Sequence, residues 1–195
     1  MTTEPAAGAV VLETPRLVLR RLTPDDAPLM LELLNDETYR RFIGDRHVRT
    51  IEEARKYIAD GPIAMYEKHG FGLWLVVRKA DGVPIGICGL LKRDELPDVD
   101  VGFALLPAWW RQGYGREAAT AVLEFGYGPL GLTRIVAITH PENVASQRLL
   151  EALGLRRDPA RRPPGKGESL LFVPVPGDGA GSLRPQGAGA DADQA

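Results

Sequence analysis

Apolar and basic residues alternate through residues 16–22, RLVLRRL, the spacing of a half-exposed strand. A helix is expected next: Thr23 suits the N-cap, Pro24 the first helical position, and Asp25 and Asp26 the positive end of the helix dipole. Thr50 with Glu53 repeats that logic as a capping box for the segment EEARKYIADG. Residues 71–79 and 83–91 are two β-rich runs joined by Ala80, Asp81 and Gly82, which predicts a hairpin. A third run, DVDVGFALL, covers residues 98–106. Helical spacing returns at 115–125, then a strand at 134–139, a helix at 144–153 and an apolar strand at 169–173. The order is strand, two or three helices, three antiparallel strands, helix, strand, helix, strand. This describes an α/β chain with a mixed sheet.

Composition sets the limits of that domain. Residues 174–195 are rich in Gly, Ala, Pro and Asp with hardly any large apolar side chain, too little to offset the entropy of ordering them. They are expected to be disordered, as are residues 1–10, which leaves one domain over residues 11–173. No apolar run approaches the length of a membrane span, and the N-terminus lacks the pattern of a secretory signal, so a cytoplasmic protein without membrane contact is expected. The net charge of −2 is skewed by the chain ends: without Glu4, Glu13, Asp178, Asp191, Asp193 and Arg184 the acids fall from 26 to 21 and the bases from 24 to 23. The remaining +2 is too mild to argue for nucleic acid. The single cysteine, Cys88, sits in the apolar run IGICGLL and reads as an inert buried thiol. His47, His69 and His140 are far apart and without metal-ligand spacing, so no metal is expected.

Candidate chemistry begins at WWRQGYGREAA, residues 109–119. Gly113 and Gly115 strip side chains from a place where a helix offers unpaired N–H groups and its positive dipole end, a setting for anionic phosphate. A flexible turn entering a helix explains the same glycines equally well. The stretch also fits the dinucleotide fingerprint G-x-G-x-x-G/A, but that motif follows a strand directly. Here residues 107–112 intervene, and no acidic residue ends the next strand. Arg111 and Arg116 flank the glycines either as phosphate partners or as solvated loop residues, while Trp109 and Trp110 read first as packing anchors. Downstream, in HPENVASQRLLEALGL at 140–155, Asn143 is placed to cap a helix, Leu149, Leu150 and Leu153 form its apolar stripe, and Gly154 ends it. Ser146 shares a side of that helix with Asn143 and Leu150.

Taken together, a Gly-x-Gly loop opening a helix, a strand, and then P-x-N-x-x-S-x-R-x-L-E-x-L-G resemble the GNAT superfamily of acetyl-CoA-dependent N-acetyltransferases. The stretches ETPRLVLRRLTPDDA and DVGFALLPAWWRQGYGREAA resemble its RimJ/RimL branch, the ribosomal-protein-alanine acetyltransferases, and the likeness runs from about Leu12 to Leu155. The resemblance implies an α+β fold with a mixed, mostly antiparallel central sheet of six to seven strands flanked by about four helices. It also implies acetyl-CoA as cofactor and direct transfer of acetyl to a primary amine, on a small molecule or a protein N-terminus. A non-catalytic acyl-CoA sensor on the same fold is the alternative, and a homodimer is a reasonable expectation for so small a domain.

By the same resemblance, main-chain groups of Gln112, Gly113, Tyr114, Gly115 and Arg116 wrap the cofactor's pyrophosphate, with Arg111 and Arg116 as helpers. Trp110 stands where the wider superfamily often has Arg or Gln. Asp100 stands where relatives carry Glu, and is the expected base, acting through water. Main-chain N–H groups near Phe103, Ala104 and Leu105 are expected to face the reacting oxygen. Ser146 is the expected proton donor to the leaving thiolate, because Leu150 occupies the position of the usual tyrosine; Asn143 would hold the pantetheine arm. Acceptor recognition is expected from residues 35–70, where Asp45, Arg46, His47 and Arg49 stand out.

Overall fold

The alternating and helical runs resolve into fourteen regular elements in the computed structural model, which describes residues 8–163 and 167–175. They are β1 (Val10–Glu13), β2 (Leu17–Arg21), α1 (Ala27–Asn35), α2 (Glu37–Phe42), α3 (Ile51–Ile58), α4 (Ala64–His69), β3 (Leu73–Arg78), β4 (Pro84–Leu91), β5 (Val99–Leu105), α5 (Tyr114–Tyr127), β6 (Ile135–Thr139), α6 (Val144–Ala152), β7 (Leu155–Arg157) and β8 (Leu170–Pro174). The strands form one sheet in the order β1-β2-β3-β4-β5-β6-β8-β7, antiparallel throughout except where β5 meets β6. Eight strands stand where six to seven were expected; the additional ones are short and lie at the two edges of the sheet. Strand β1 starts inside the segment expected to be disordered, since Val10 pairs with Arg20 and Arg21 N donates to Ala9 O at 2.9 Å. The remainder of both expected tails, residues 1–7 and 176–195, lies outside the described residues.

Period-two burial gives the sheet two apolar faces, each covered by helices. On one face Leu17, Leu19, Trp74, Val76 and Leu90 pack with Ala118, Ala119, Val122 and Leu123 of α5, and with Leu150 and Leu153. On the other, Leu75 and Ile87 meet Met30, Leu33 and Leu34 of α1 and Ala54 and Ile58 of α3. In β4 the alternation slips: Ile85 and Cys88 share a face, because the β3–β4 register shifts by one residue beside Gly86. A Cβ on Gly86 would lie 2.2 Å from Ala104 O, so only glycine lets β4 and β5 approach there.

The capping signals hold with one adjustment each. Glu53 N donates to Thr50 Oγ1 at 3.2 Å and Thr50 N to Glu53 Oε2 at 3.0 Å, a reciprocal box. The helix does not end at Asp60 and Gly61 as the segment EEARKYIADG suggested. A π-turn over Ala59–Ile63 carries the chain through Pro62 into α4, its wider ring absorbing the missing N–H of proline. At Thr23 the carboxylate of Asp26 accepts from Thr23 N at 2.8 Å, and a 3₁₀ turn precedes α1. Among the described residues, no helix is long and apolar enough to cross a membrane.

Candidate active site

Strands β5 and β6 pair only at Val99 with Ile135 and Asp100 with Val136; beyond these residues they diverge. The remainder of β5 keeps its bonds to β4, and Leu106 N donates to Ile85 O at 2.9 Å. Strand alternation therefore turns the main-chain groups of Phe103 and Leu105 toward the opened side. Trp110 marks that side, its indole N–H donating to Leu105 O at 2.7 Å. Two cavities fill the splay and meet at Phe103, Ala104, Asn143 and Ser146.

The outer cavity, about 610 Å³, runs over the mouth of α5 and is lined there by Arg111, Gly113, Tyr114, Gly115 and Arg116. Gly113 is the N-cap of α5 at φ +78°, in the left-handed region, and Arg111 takes φ +58°. The first intrahelical bond of this turn is Glu117 N to Gly113 O at 3.0 Å, so the N–H groups of Tyr114, Gly115 and Arg116 have no partner within the helix. Gln112 is the exception among the expected loop residues. It does not line the cavity: Arg16 Nη1 binds its carbonyl at 2.9 Å and its amide donates to Ala108 O. The Tyr114 side chain turns into the core, leaving only its backbone for the cleft.

A brace absent from the sequence reading holds this loop. Glu117 accepts from Thr14 Oγ1 at 2.6 Å, from Arg16 N at 2.9 Å and from Arg16 Nε at 2.6 Å. Burial alone would raise the Glu117 pKa, but these donors outweigh it and hold the carboxylate below its ordinary range. Trp109 packs as expected, half-buried, with the Arg78 guanidinium 4.3 Å from its ring centre. Trp110 is 42% exposed and forms part of the cleft wall.

The inner cavity, about 300 Å³, contains Asp100. This carboxylate is 2% exposed and accepts from Arg93 Nε at 2.9 Å. Around it stand Tyr39, Tyr57, Arg46 and Thr139, with Leu150 at the base of α6. Tyr39 is buried, its phenol pKa raised first by desolvation and then by the neighbouring Tyr57, with the Arg46 guanidinium acting to lower it. Of the acceptor-region residues singled out by sequence, only Arg46 faces a cavity. Asp45 instead ties Arg49 at 2.5 Å and Arg40 at 3.2 Å, which holds its pKa well below the usual carboxylate range, and the His47 side chain is turned to solvent. Arg93, Tyr39 and Tyr57 escaped sequence reasoning because each reaches the pocket from a separate element, with no local motif to mark it.

Asn143 caps α6 with its Oδ1, which accepts from Ser146 N at 3.0 Å. That bond leaves the amide nitrogen of Asn143 and the Ser146 hydroxyl at the junction of the two cavities. Cys88 lines neither cavity and is fully buried, its thiol pushed up to about 12 by desolvation.

Comparison with known proteins agrees with this geometry. Residues 16–156 match the acetyltransferase (GNAT) domain. The N-acetyltransferase YoaA of Bacillus subtilis is 30% identical over 149 residues, covering 76% of this chain and 84% of that protein. YnaD, another N-acetyltransferase of the same bacterium, is 28% identical over 147 residues, 75% and 83% of the two chains. The fold is shared with an acetyltransferase from Agrobacterium tumefaciens, at TM-score 0.74 and 23% identity over 87% of this chain and 97% of that one. It is also shared with RimL, the ribosomal L7/L12 alpha-N-protein acetyltransferase, in complex with coenzyme A, at TM-score 0.71 and 16% identity over 85% of this chain and 96% of that one. The chain thus belongs to the GNAT family and is an N-acetyltransferase that draws its acetyl group from acetyl-CoA.

Proposed function

We propose that the outer cavity holds the coenzyme A moiety and the inner cavity the acceptor amine, with acetyl passing directly between them at the junction. The observation that carries this reading is the meeting of an amide-rimmed cleft and a carboxylate-bearing pocket where β5 leaves β6. The unpaired amides of Tyr114, Gly115 and Arg116 suit a diphosphate, because Gly113 supplies the left-handed turn and Gly115 presents no Cβ to the cleft. Arg111 and Arg116, both exposed on the cleft rim, add positive charge there.

Each remaining group has one task. The Phe103 N–H, turned to the open side, stabilises the carbonyl oxygen as negative charge develops on it. Asp100 takes the proton of the acceptor ammonium through a bridging water, while Arg93 fixes the orientation of its carboxylate. Asn143 holds the pantetheine arm through its amide nitrogen, and the Ser146 hydroxyl gives a proton to the departing sulfur. Cys88 has no part, since a buried thiol with a raised pKa is neither reachable nor nucleophilic at neutral pH. The acceptor is a primary amine, of a small molecule or a protein N-terminus in the RimJ/RimL manner; the fold shared with RimL and with a ribosomal-protein alanine acetyltransferase from Vibrio fischeri supports the second.

The test is thiol release from acetyl-CoA against a panel of peptides and amines, with coenzyme A binding measured in parallel. Turnover on at least one amine is expected, with Asp100→Asn slowing it and leaving coenzyme A affinity unchanged. An Asp100→Asn variant as fast as the parent removes the base assignment.

A further inference from the structure

We propose that the inner cavity selects an acceptor bearing a negative charge close to its amine, a carboxylate in the first instance, and that Arg46 is the residue that reads it. This rests on the reading of that cavity as the acceptor site. Among the described residues the ionised lining is Arg46, Arg93 and Asp100, two cations and one anion. Arg93 is committed to Asp100 through Nε at 2.9 Å. Arg46 is placed differently: among the described residues it forms no ion pair, and it lines the cavity together with the phenols of Tyr39 and Tyr57. Its neighbours in sequence show the contrast, because Arg40 and Arg49 both pair with Asp45, and Arg41 pairs with Glu142.

A guanidinium held against phenols and facing a cavity keeps its fork of donors for a planar bidentate anion. The opposite end of an acceptor then has its own place, since an ammonium group suits Asp100. A zwitterionic or acid-bearing amine satisfies both ends. A polyamine or other cationic acceptor meets Arg46 with like charge and is disfavoured. Coenzyme A does not account for Arg46, because the outer cavity that takes its phosphates does not include this residue.

The experiment compares kcat/KM for matched acceptors: aspartate and glycine against their carboxamides, and peptides beginning with Asp against those beginning with Asn. Spermidine serves as the cationic acceptor. A charge-assisted bidentate contact is expected to favour the acid-bearing member of a pair by about tenfold or more. A preference among free amino acids alone identifies a small-molecule acceptor, and one that extends to the peptides identifies a protein N-terminus; either supports the inference. Arg46→Met should bring the ratio close to one, whereas Arg49→Met, which removes an equal charge outside the cavity, should leave it unaltered. Circular dichroism melts of both variants separate loss of selectivity from loss of fold. Equal rates on acid and amide, or spermidine as the best acceptor, overturn the role of Arg46. Absence of turnover on every amine together with absence of coenzyme A binding would instead remove the acceptor-site reading beneath it.

Discussion

Replacing Gly115 by alanine separates a glycine kept for ligand binding from one kept for backbone geometry. Gly115 is the second residue of α5 and has no left-handed torsion; an added Cβ would lie 3.5 Å from Leu149 Cδ2 and 3.8 Å from Leu105 Cδ1, ordinary contact distances. Nothing in the free protein therefore opposes the methyl group. Removing glycine from an unstrained helical position should stabilise the fold by about 0.5 kcal/mol through the unfolded chain. The same methyl projects into the outer cleft beside the amides of Tyr114, Gly115 and Arg116. Loss of one charge-assisted bond from such an amide is worth about 1.5–3 kcal/mol, hence coenzyme A affinity should fall about tenfold to a hundredfold. Urea denaturation reads the first effect and isothermal titration with coenzyme A the second. Gly113→Ala supplies the contrast: at φ +78° a Cβ is strained, costing about 1–2 kcal/mol of stability before any ligand is added. A Gly115→Ala protein that binds coenzyme A as tightly as the parent would refute the placement of the diphosphate on α5. One that loses stability would refute the packing argument.

Three further outcomes are expected. Asp100→Asn should lower kcat at neutral pH by about a hundredfold, the usual scale for a lost general base, with KM for acetyl-CoA unchanged in steady-state assays. The half-buried pair of Arg20 and Asp26, joined at 2.6 Å and 2.8 Å, gives an acid-side signature. Burial works to raise the Asp26 pKa, but the bonds from Arg20 and Thr23 prevail and lower it. A depressed carboxylate contributes stability above its unfolded pKa of about 3.9 and loses it as pH falls through the folded value. The parent should accordingly lose stability more steeply below about pH 4 than Asp26→Asn, as followed by thermal melts across pH; parallel curves would show the pair to be inconsequential. Cys88→Ala should turn over at the parental rate, and the native thiol should resist iodoacetamide at pH 8 until denaturant is added, as mass spectrometry would report.

Much of the fold was legible because its causes are local. The hairpin between β3 and β4 is written in Ala80, Asp81 and Gly82, with Gly82 at φ +69°, and the caps at Thr50 and Asn143 bond within three residues in sequence. Strands β1 and β7 were not legible: four and three residues long, they exist only through pairing with β2 and β8. The continuation through Pro62 was not legible, because glycine and proline announce a stop whereas a π-turn over Ala59–Ile63 carries the chain on into α4.

The site divides along the same line. Sequence alone determined the amide-rimmed mouth of α5 and the cap of α6, since glycine torsions and first-turn N–H groups are properties of a short stretch of chain. It also placed Asp100, Phe103 and Ser146 on their elements. Only tertiary structure decided that β5 parts from β6 after Asp100, that Glu117 reaches across to Thr14 and Arg16, and that Arg93, Arg46, Tyr39 and Tyr57 converge on one pocket. Those facts depend on where strands far apart in sequence come into register, and burial and pairing of the whole chain set that register, leaving no mark within any single segment.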